Sequence, residues 1–259
     1  MNPLYRQQQE EMAFEEIGRE ILELSRTELY MNLRFLDVAL SGLTFVPDGS
    51  IRGTGTDGVS LFYRPDWVAG LFGRGSQNVN RSYLHTVFHC LFGHVWNRGG
   101  RDREYWDLAC DMAAEYLIDG LYLKAVQVPK SMYRRQAFRR FLPEGKVPTA
   151  EQIYRSLCRN HPSAKEAEEL RIEFTQDDHR YWEREQDPEQ PESAPRKWEE
   201  ARERMQTEME LFSKEASREF RDLEEQVRAE NHQKYDYREF LRKFSVLKEE
   251  LQVDLDAFD

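Results

Sequence analysis

His85-Thr86-Val87-Phe88-His89-Cys90-Leu91-Phe92-Gly93-His94 is the stretch on which the reading of this chain turns, and three of its 6 histidines fall there. On a helix, His85 and His89 lie one turn apart on the same face. Two imidazoles at that spacing hold one metal ion in the zinc helix His-Glu-x-x-His. A bare His-x-x-x-His pair also arises by chance, so its surroundings must decide. His94 would sit about 180° around from His85 on an unbroken helix, at roughly 100° per residue. Either Gly93 breaks the helix and swings His94 toward the ion, or His94 caps the helix and stands behind the ligands, which is the favoured reading. Cys90 reads as a core thiol.

The helix carrying these residues is expected over about Val79 to Trp96, closed by Arg98-Gly99-Gly100. The next is expected over about Glu104 to Leu123, and it bears Asp107, Asp111, Glu115 and Asp119, each four residues from the last. Its other positions are largely apolar. Like charges one turn apart repel, and more so when buried. The stripe therefore needs water, a basic partner or a cation. In one reading the end residues meet water and the middle pair meets an arginine. In the other, Asp111 or Glu115 faces the His85/His89 pair across two antiparallel helices.

Upstream, the run from Glu10 to about Leu40 has Phe14, Ile17, Ile21, Leu24, Leu29 and Leu33 near helical spacing. Leu43–Val46 and Val59–Tyr63 read as short strands of a hairpin, with Pro47, Gly53, Gly55 and Asp57-Gly58 as turn residues between them. Arg64-Pro65-Asp66 then opens a short helix. Downstream, the basic stretch 130–140 reads as a solvated face. Thr149-Ala-Glu-Gln152 fits a capping box. Residues 183–196, with Pro188, Pro191 and Pro195, read as a linker. Beyond it, Trp198, Ala201, Met205, Met209, Phe212, Ala216, Phe220, Leu223 and Val227 trace a long amphipathic C-terminal helix, expected to pack on its own chain. Tyr237–Leu251 suggests one more. The expected fold is mainly α with a small β-hairpin or sheet. It divides into 1–182 (metal-binding domain), 183–196 (linker) and 197–259 (helical segment).

The 259 residues carry a formal net charge of -11. That balance argues against a nucleic-acid or anionic-membrane binder, because phosphate attracts positive surfaces. No apolar run is long enough to span a bilayer, and the first residues lack the apolar core of a secretion signal. Cys90, Cys110 and Cys158 are too few, and odd in number, for a disulfide framework. The expectation is a reduced, cytoplasmic protein.

Several of these residues also make the chain resemble a metallopeptidase family whose members join a zincin-like N-terminal domain to a von Willebrand factor A-like C-terminal domain. The resemblance lies in Thr56-Asp57-Gly58 through Phe62-Tyr63-Arg64-Pro65, in His85 to His94, in Trp106 to Asp111, and in Asp178-His179 with Trp182. It spans about residues 10 to 185 and implies a zincin-like fold with His85, His89 and Asp111 as ligands of Zn2+ or another divalent ion, His94 and Glu115 remaining further candidates. Leu251–Asp259 reads as the lead-in to the A-like domain, so a longer natural protein is expected. Relatives associate with MoxR-type AAA+ ATPases, which implies a protein or peptide partner.

The departure from the family pattern is Thr86. A zinc peptidase keeps there the glutamate that takes a proton from the metal-bound water. A threonine hydroxyl is no base near neutral pH. Two readings follow. One is a degenerate metallopeptidase-like domain used as a binding or adaptor module. The alternative is an active metallohydrolase with a displaced base, for which Glu115 and His94 are the candidates.

Overall fold

The computed structural model describes residues 3–142, 147–182, 193–212, 223 and 225–227. Helix α1 (Pro3–Asn32) leads through a 3-10 turn at Arg34–Leu36 into the short α2 (Asp37–Leu40). Strands β1 (Thr44–Pro47), β2 (Thr54–Thr56) and β3 (Ser60–Tyr63) follow, and then helices α3 (Pro65–Gly73), α4 (Ser76–Leu91) and α5 (Arg103–Gly120). After them come α6 (Met132–Phe141), α7 (Ala150–Asn160), α8 (Ala164–Phe174), a 3-10 turn at His179–Tyr181, and α9 (Ser193–Phe212). The protein is mainly α with one small mixed sheet. Among the described residues no helix is long and apolar enough to cross a membrane.

The hairpin expected between residues 43–46 and 59–63 is not formed. The strand order is β1-β3-β2, with β1 parallel to β3 and β2 antiparallel to it. Asp57 closes the reversal at once, because its carboxylate accepts from Val59 N and Ser60 N at 2.9 and 2.8 Å. The true hairpin partner of β3 is therefore Thr54–Thr56. Gly55, expected in a turn, lies in β2 because another chain segment crosses it: a Cβ there would stand 2.6 Å from the Asp178 carbonyl oxygen. Asp178 N donates to Thr54 O at 2.7 Å, which ties the 177–182 segment to the sheet edge.

Helix α1 stops at Asn32 rather than running to Leu40, its core face is Ile21, Leu22 and Leu29, and Leu33 just beyond it is buried too. Phe14, Ile17 and Leu24, counted in the same apolar series, are exposed. The core itself is centred on α4, whose residues from Val79 to Leu91 are all buried. Helices α1, α3 and α5 pack around it. Arg135, Arg139 and Arg140 of α6 are exposed as expected, but Arg134 is buried and turned inward. The capping box at Thr149 and Gln152 is present in both of its bonds.

Helix α9 covers the far end of α4. Trp198, Ala201, Met205 and Met209 are buried, and Arg202 donates to the Leu91 carbonyl at 2.9 Å. The Trp198 indole N–H donates to Gly58 O at 2.7 Å, and its ring lies so close to Gly42 that a Cβ there would come within 2.8 Å. Replacing Trp198 with alanine should cost about 3–5 kcal/mol, as for other large-to-small changes at buried aromatics. Urea denaturation measures it, and a loss below about 1 kcal/mol would mean that α9 is not held by this contact. The rest of the expected linker, residues 183–192, most of the seam beyond Phe212 and all of Tyr237–Leu251 and Leu251–Asp259 lie outside the described residues.

Candidate metal centre

The α4 C-terminus builds one side of the centre. Phe92 ends the helix and Gly93 follows with φ +71°. His94 N donates to His89 O at 2.9 Å and Gly93 N to Cys90 O at 3.1 Å. This is the Schellman arrangement, with the left-handed glycine that it favours. The break turns His94 back onto His89, so that the two Nδ1 atoms lie 2.9 Å apart. The Trp106 indole fixes His94 from behind, donating to its carbonyl at 3.2 Å.

Helix α5 presents its acidic stripe to α4. Asp111 Oδ1 lies 3.3 Å from both His85 Nε2 and His89 Nε2. Glu115 meets the other face of the His85 ring, with Oε1 3.0 Å from Nδ1. Its Oε2 is held by Arg134 and by Arg81, the latter at 2.5 and 3.0 Å. Asp119 accepts from the same two guanidiniums at 2.8 and 2.9 Å. The stripe thus divides: Asp111 joins the histidines, Glu115 and Asp119 meet arginines, and Asp107 lies at the mouth, 3.7 Å from His179.

Two residues outside the expected set complete the cluster. Asp177 Oδ1 lies 3.5 Å from His85 Nε2 and 3.6 Å from His89 Nε2. His179 Nε2 lies 2.9 Å from Asp177 Oδ1 and 3.1 Å from Asp111 Oδ1, and its ring stacks on Trp182 at 3.7 Å. Asp178, the aspartate of the recognised Asp-His-x-x-Trp element, points elsewhere: it accepts from Arg180 N at 3.1 Å. In an extended segment alternate side chains share a face, so 177 and 179 turn inward together while 178 turns out. That alternation, Asp177-x-His179, is the signal the sequence offered.

His85, His89, Asp111 and Asp177 bring two nitrogens and two oxygens within 4.8 Å of one another, all buried. The two imidazole Nε2 atoms are only 2.8 Å apart. Glu115 can only accept, so His85 carries its hydrogen on Nδ1 and turns Nε2 inward. His89, with Nδ1–H directed at His94, does the same. The outer oxygens of the aspartates are taken up by hydroxyls. Thr175 donates to Asp111 Oδ2 at 2.8 Å, and Thr86 Oγ1 lies 3.4 Å from Asp177 Oδ2 and 3.2 Å from the Ser82 carbonyl. Four lone-pair atoms therefore converge with no donor of their own between them, unless a proton or a cation supplies one. Bonds of about 2.0–2.1 Å in a tetrahedral zinc site space the ligand atoms roughly 3.3–3.4 Å apart. The five edges that run from the two imidazoles, 2.8 to 3.6 Å, bracket that spacing. The donor set fits a divalent ion.

The electrostatics point the same way. Burial pushes the Asp111 carboxyl up, yet the charge and hydrogen bond of His179, with those of His85 and His89, hold it well below the carboxylate range. Asp177 is likewise held down against burial, chiefly by the charges of His179 and His89. Burial opposes charge on His85, but its bonds to Asp111, Asp177 and Glu115 raise it well above the ordinary value. The cluster draws positive charge, which an ion would supply in place of protons. Burial, with the charges of His89 and His85, holds His94 well below its ordinary value, so it stands as a neutral acceptor behind His89.

Glu115 and His94, the candidates for a displaced base, lie against His85 Nδ1 and His89 Nδ1 respectively. Each contacts a ring nitrogen on the side away from the four converging atoms. Cys90 is buried 3.7 Å from Thr56 Oγ1, among core residues. A cleft of about 770 Å³ reaches the cluster from the side of Asp111, Asp177 and His179, with Trp67, Leu108, Arg52 and Arg180 also along its walls.

A mainly helical domain thus gathers two histidines of one helix and two buried aspartates around one point, a group that could hold a metal ion. The chain is a member of the family described as "putative metallopeptidase domain", whose model matches residues 22–252. The matched span runs well past residue 185, where the resemblance was expected to end. No curated protein and no solved structure gives a significant match.

Proposed function

We propose that this domain holds one divalent ion, zinc by the donor set, through His85, His89, Asp111 and Asp177, and serves as a binding or adaptor module of degenerate zincin type rather than as a standard peptidase. The observation that carries this reading is the convergence of four buried donors, two imidazole nitrogens and two carboxylate oxygens, within 4.8 Å of one another. Structural zinc sites use four protein ligands, whereas catalytic ones keep a position for water. On this reading Asp177 would supply the fourth ligand, and Thr86 stands at the sequence position where a zinc peptidase keeps its glutamate. When bound, the ion would supply a Lewis-acid centre; His94 and Glu115 would orient its imidazoles, and the threonine hydroxyls its carboxylates. The family resemblance supports a protein or peptide partner, with a MoxR-type AAA+ ATPase as one class.

Elemental analysis of the purified protein tests the ion, and a peptide-library cleavage assay with a chelator control tests the chemistry. The expected result is one equivalent of metal and no chelator-sensitive cleavage. A second reading, an active metallohydrolase, is favoured by one observation: Asp111, Asp177 and His179 line the open cleft. Cleavage at ordinary peptidase rates, abolished by chelation, would establish it over the first.

Thr86→Glu sharpens the choice. Thr86 is fully buried and adjoins Asp177. A glutamate added there competes with that carboxylate, so the single variant should bind metal more weakly. Thr86→Glu with Asp177→Ala removes the conflict and opens the fourth position. Weak, metal-dependent hydrolysis by the double variant alone would mean that the cleft retains substrate geometry. A general base contributes typically 10²–10⁴-fold, which sets the scale of the gain.

A further inference from the structure

Four arginines and five acids line the cleft beside the metal centre. Three of the arginines are matched by an acid of the same walls. Arg180 lies 2.7 Å from Asp178, Arg171 3.1 Å from Glu104, and Arg103 3.7 Å from Asp107. The last two acids, Asp111 and Asp177, belong to the centre, where their Oδ1 atoms face the imidazoles. An ion or protons balance them there.

Arg52 is left over. It is exposed, and its side chain has no ion pair or hydrogen bond among the described residues. The chain on either side of it is fixed. Ile51 is buried with Phe62 and Tyr181. The Gly53 carbonyl accepts from Arg64 N at 2.8 Å, and a Cβ on Gly53 would stand 3.3 Å from the Trp67 ring. A chain with 48 acidic and 37 basic residues thus holds out to a cleft one arginine with no acid of its own. The planar guanidinium fork matches the two oxygens of a carboxylate. Trp67, half-buried, and Leu108 give the same cleft an apolar surface.

We propose, on the reading of the domain as a module for a peptide partner, that the cleft takes an acidic peptide segment, one carboxylate on Arg52 and an apolar neighbour against Trp67. The pairing is the same whether an ion or protons balance the two aspartates.

An array of random dodecapeptides, probed with the full chain as purified with its metal, tests this. The strongest binders are then made again with each Glu or Asp replaced by Gln or Asn, and their affinities are read by fluorescence anisotropy. At one position the amide version should bind about fivefold more weakly or worse, the upper end for an exposed ion pair. Arg52→Ala should erase that difference while leaving the amide peptide within about twofold of its wild-type affinity. Arg52→Lys, which keeps the charge and loses the fork, should retain part of it. Arg52 is outside the ligand set, so elemental analysis should find wild-type metal content in both variants. Peptides that bind with no acid-to-amide difference overturn the proposal and leave the peptide reading standing, as does a difference that survives Arg52→Ala. Succinate competing as well as the peptide would mean that a lone carboxylate is recognised, and also overturns it. Retention of no peptide at all overturns both.

Discussion

Asp177→Ala should strip the protein of most of its metal. An outer-shell partner of a ligand is worth tenfold to a hundredfold in affinity. Losing a charged ligand from a four-member set should exceed that range, and Asp111→Ala should match it. Competition titration against a chromophoric chelator reads both. Stability gives a second readout, because an ion that binds only the folded chain stabilises it by about 4.1 kcal/mol at a thousandfold excess over Kd. At roughly 2–4 °C per kcal/mol for a domain of this size, chelation should lower the wild-type Tm by about 8–16 °C. The same chelation should leave Asp177→Ala almost unmoved, since that variant has little ion to lose. Wild-type metal affinity in Asp177→Ala would remove it from the ligand set and reopen the fourth position, which is the feature that separates a closed site from a catalytic one.

Asp177 also marks where the sequence stops being legible. His85 and His89 announce themselves because helical spacing is a local rule, and four residues always make one turn. The acidic stripe on α5 is local in the same way, and the need for a cation or an arginine beside it follows from charge repulsion alone. Which acid meets which partner is not local. Asp111 reaches the imidazole Nε2 atoms and Glu115 the opposite Nδ1 because of how α4 and α5 are rotated against each other, and spacing does not encode that. Arg134 looked like one of four solvated arginines; only the packing of α6 turns it onto Glu115. Asp177 belongs to a segment placed by its bond to β2, through a glycine that reads as a turn residue until the crossing strand is known. The parallel pairing of β1 with β3 was hidden for the same reason: strand signals are local, and pairing is not. At His94 the outcome takes a part of each reading: Gly93 does break the helix, but the imidazole turns onto His89 Nδ1 and stands behind it.

Glu115→Ala should be the most destabilising change near the centre. The glutamate lies between two buried guanidiniums and a buried imidazole, with side-chain exposures of 0 % for Glu115, 4 % for Arg81 and 6 % for Arg134. Burial pushes its carboxyl up, but the charge of Arg81, the bond to His85 and the charge of Arg134 hold it well below the ordinary range, so it is the anion of the group. Removing one partner from such a network costs about 3–5 kcal/mol, because the remaining charges stay buried with too little compensation. Asp119 would be left to serve both arginines alone. Urea denaturation in excess chelator isolates this cost from any loss of metal binding. Glu115→Gln separates the two roles of the residue: the amide oxygen still accepts from His85 Nδ1, while the charge facing Arg81 and Arg134 is gone. It should fold less stably than wild type and hold metal more tightly than the alanine variant, which should lose tenfold to a hundredfold in affinity. A Glu115→Ala protein within about 1 kcal/mol of wild type in chelator would mean that water or Asp119 compensates the arginines. A Glu115→Ala protein with wild-type metal affinity would mean that His85 keeps its orientation without the carboxylate behind it.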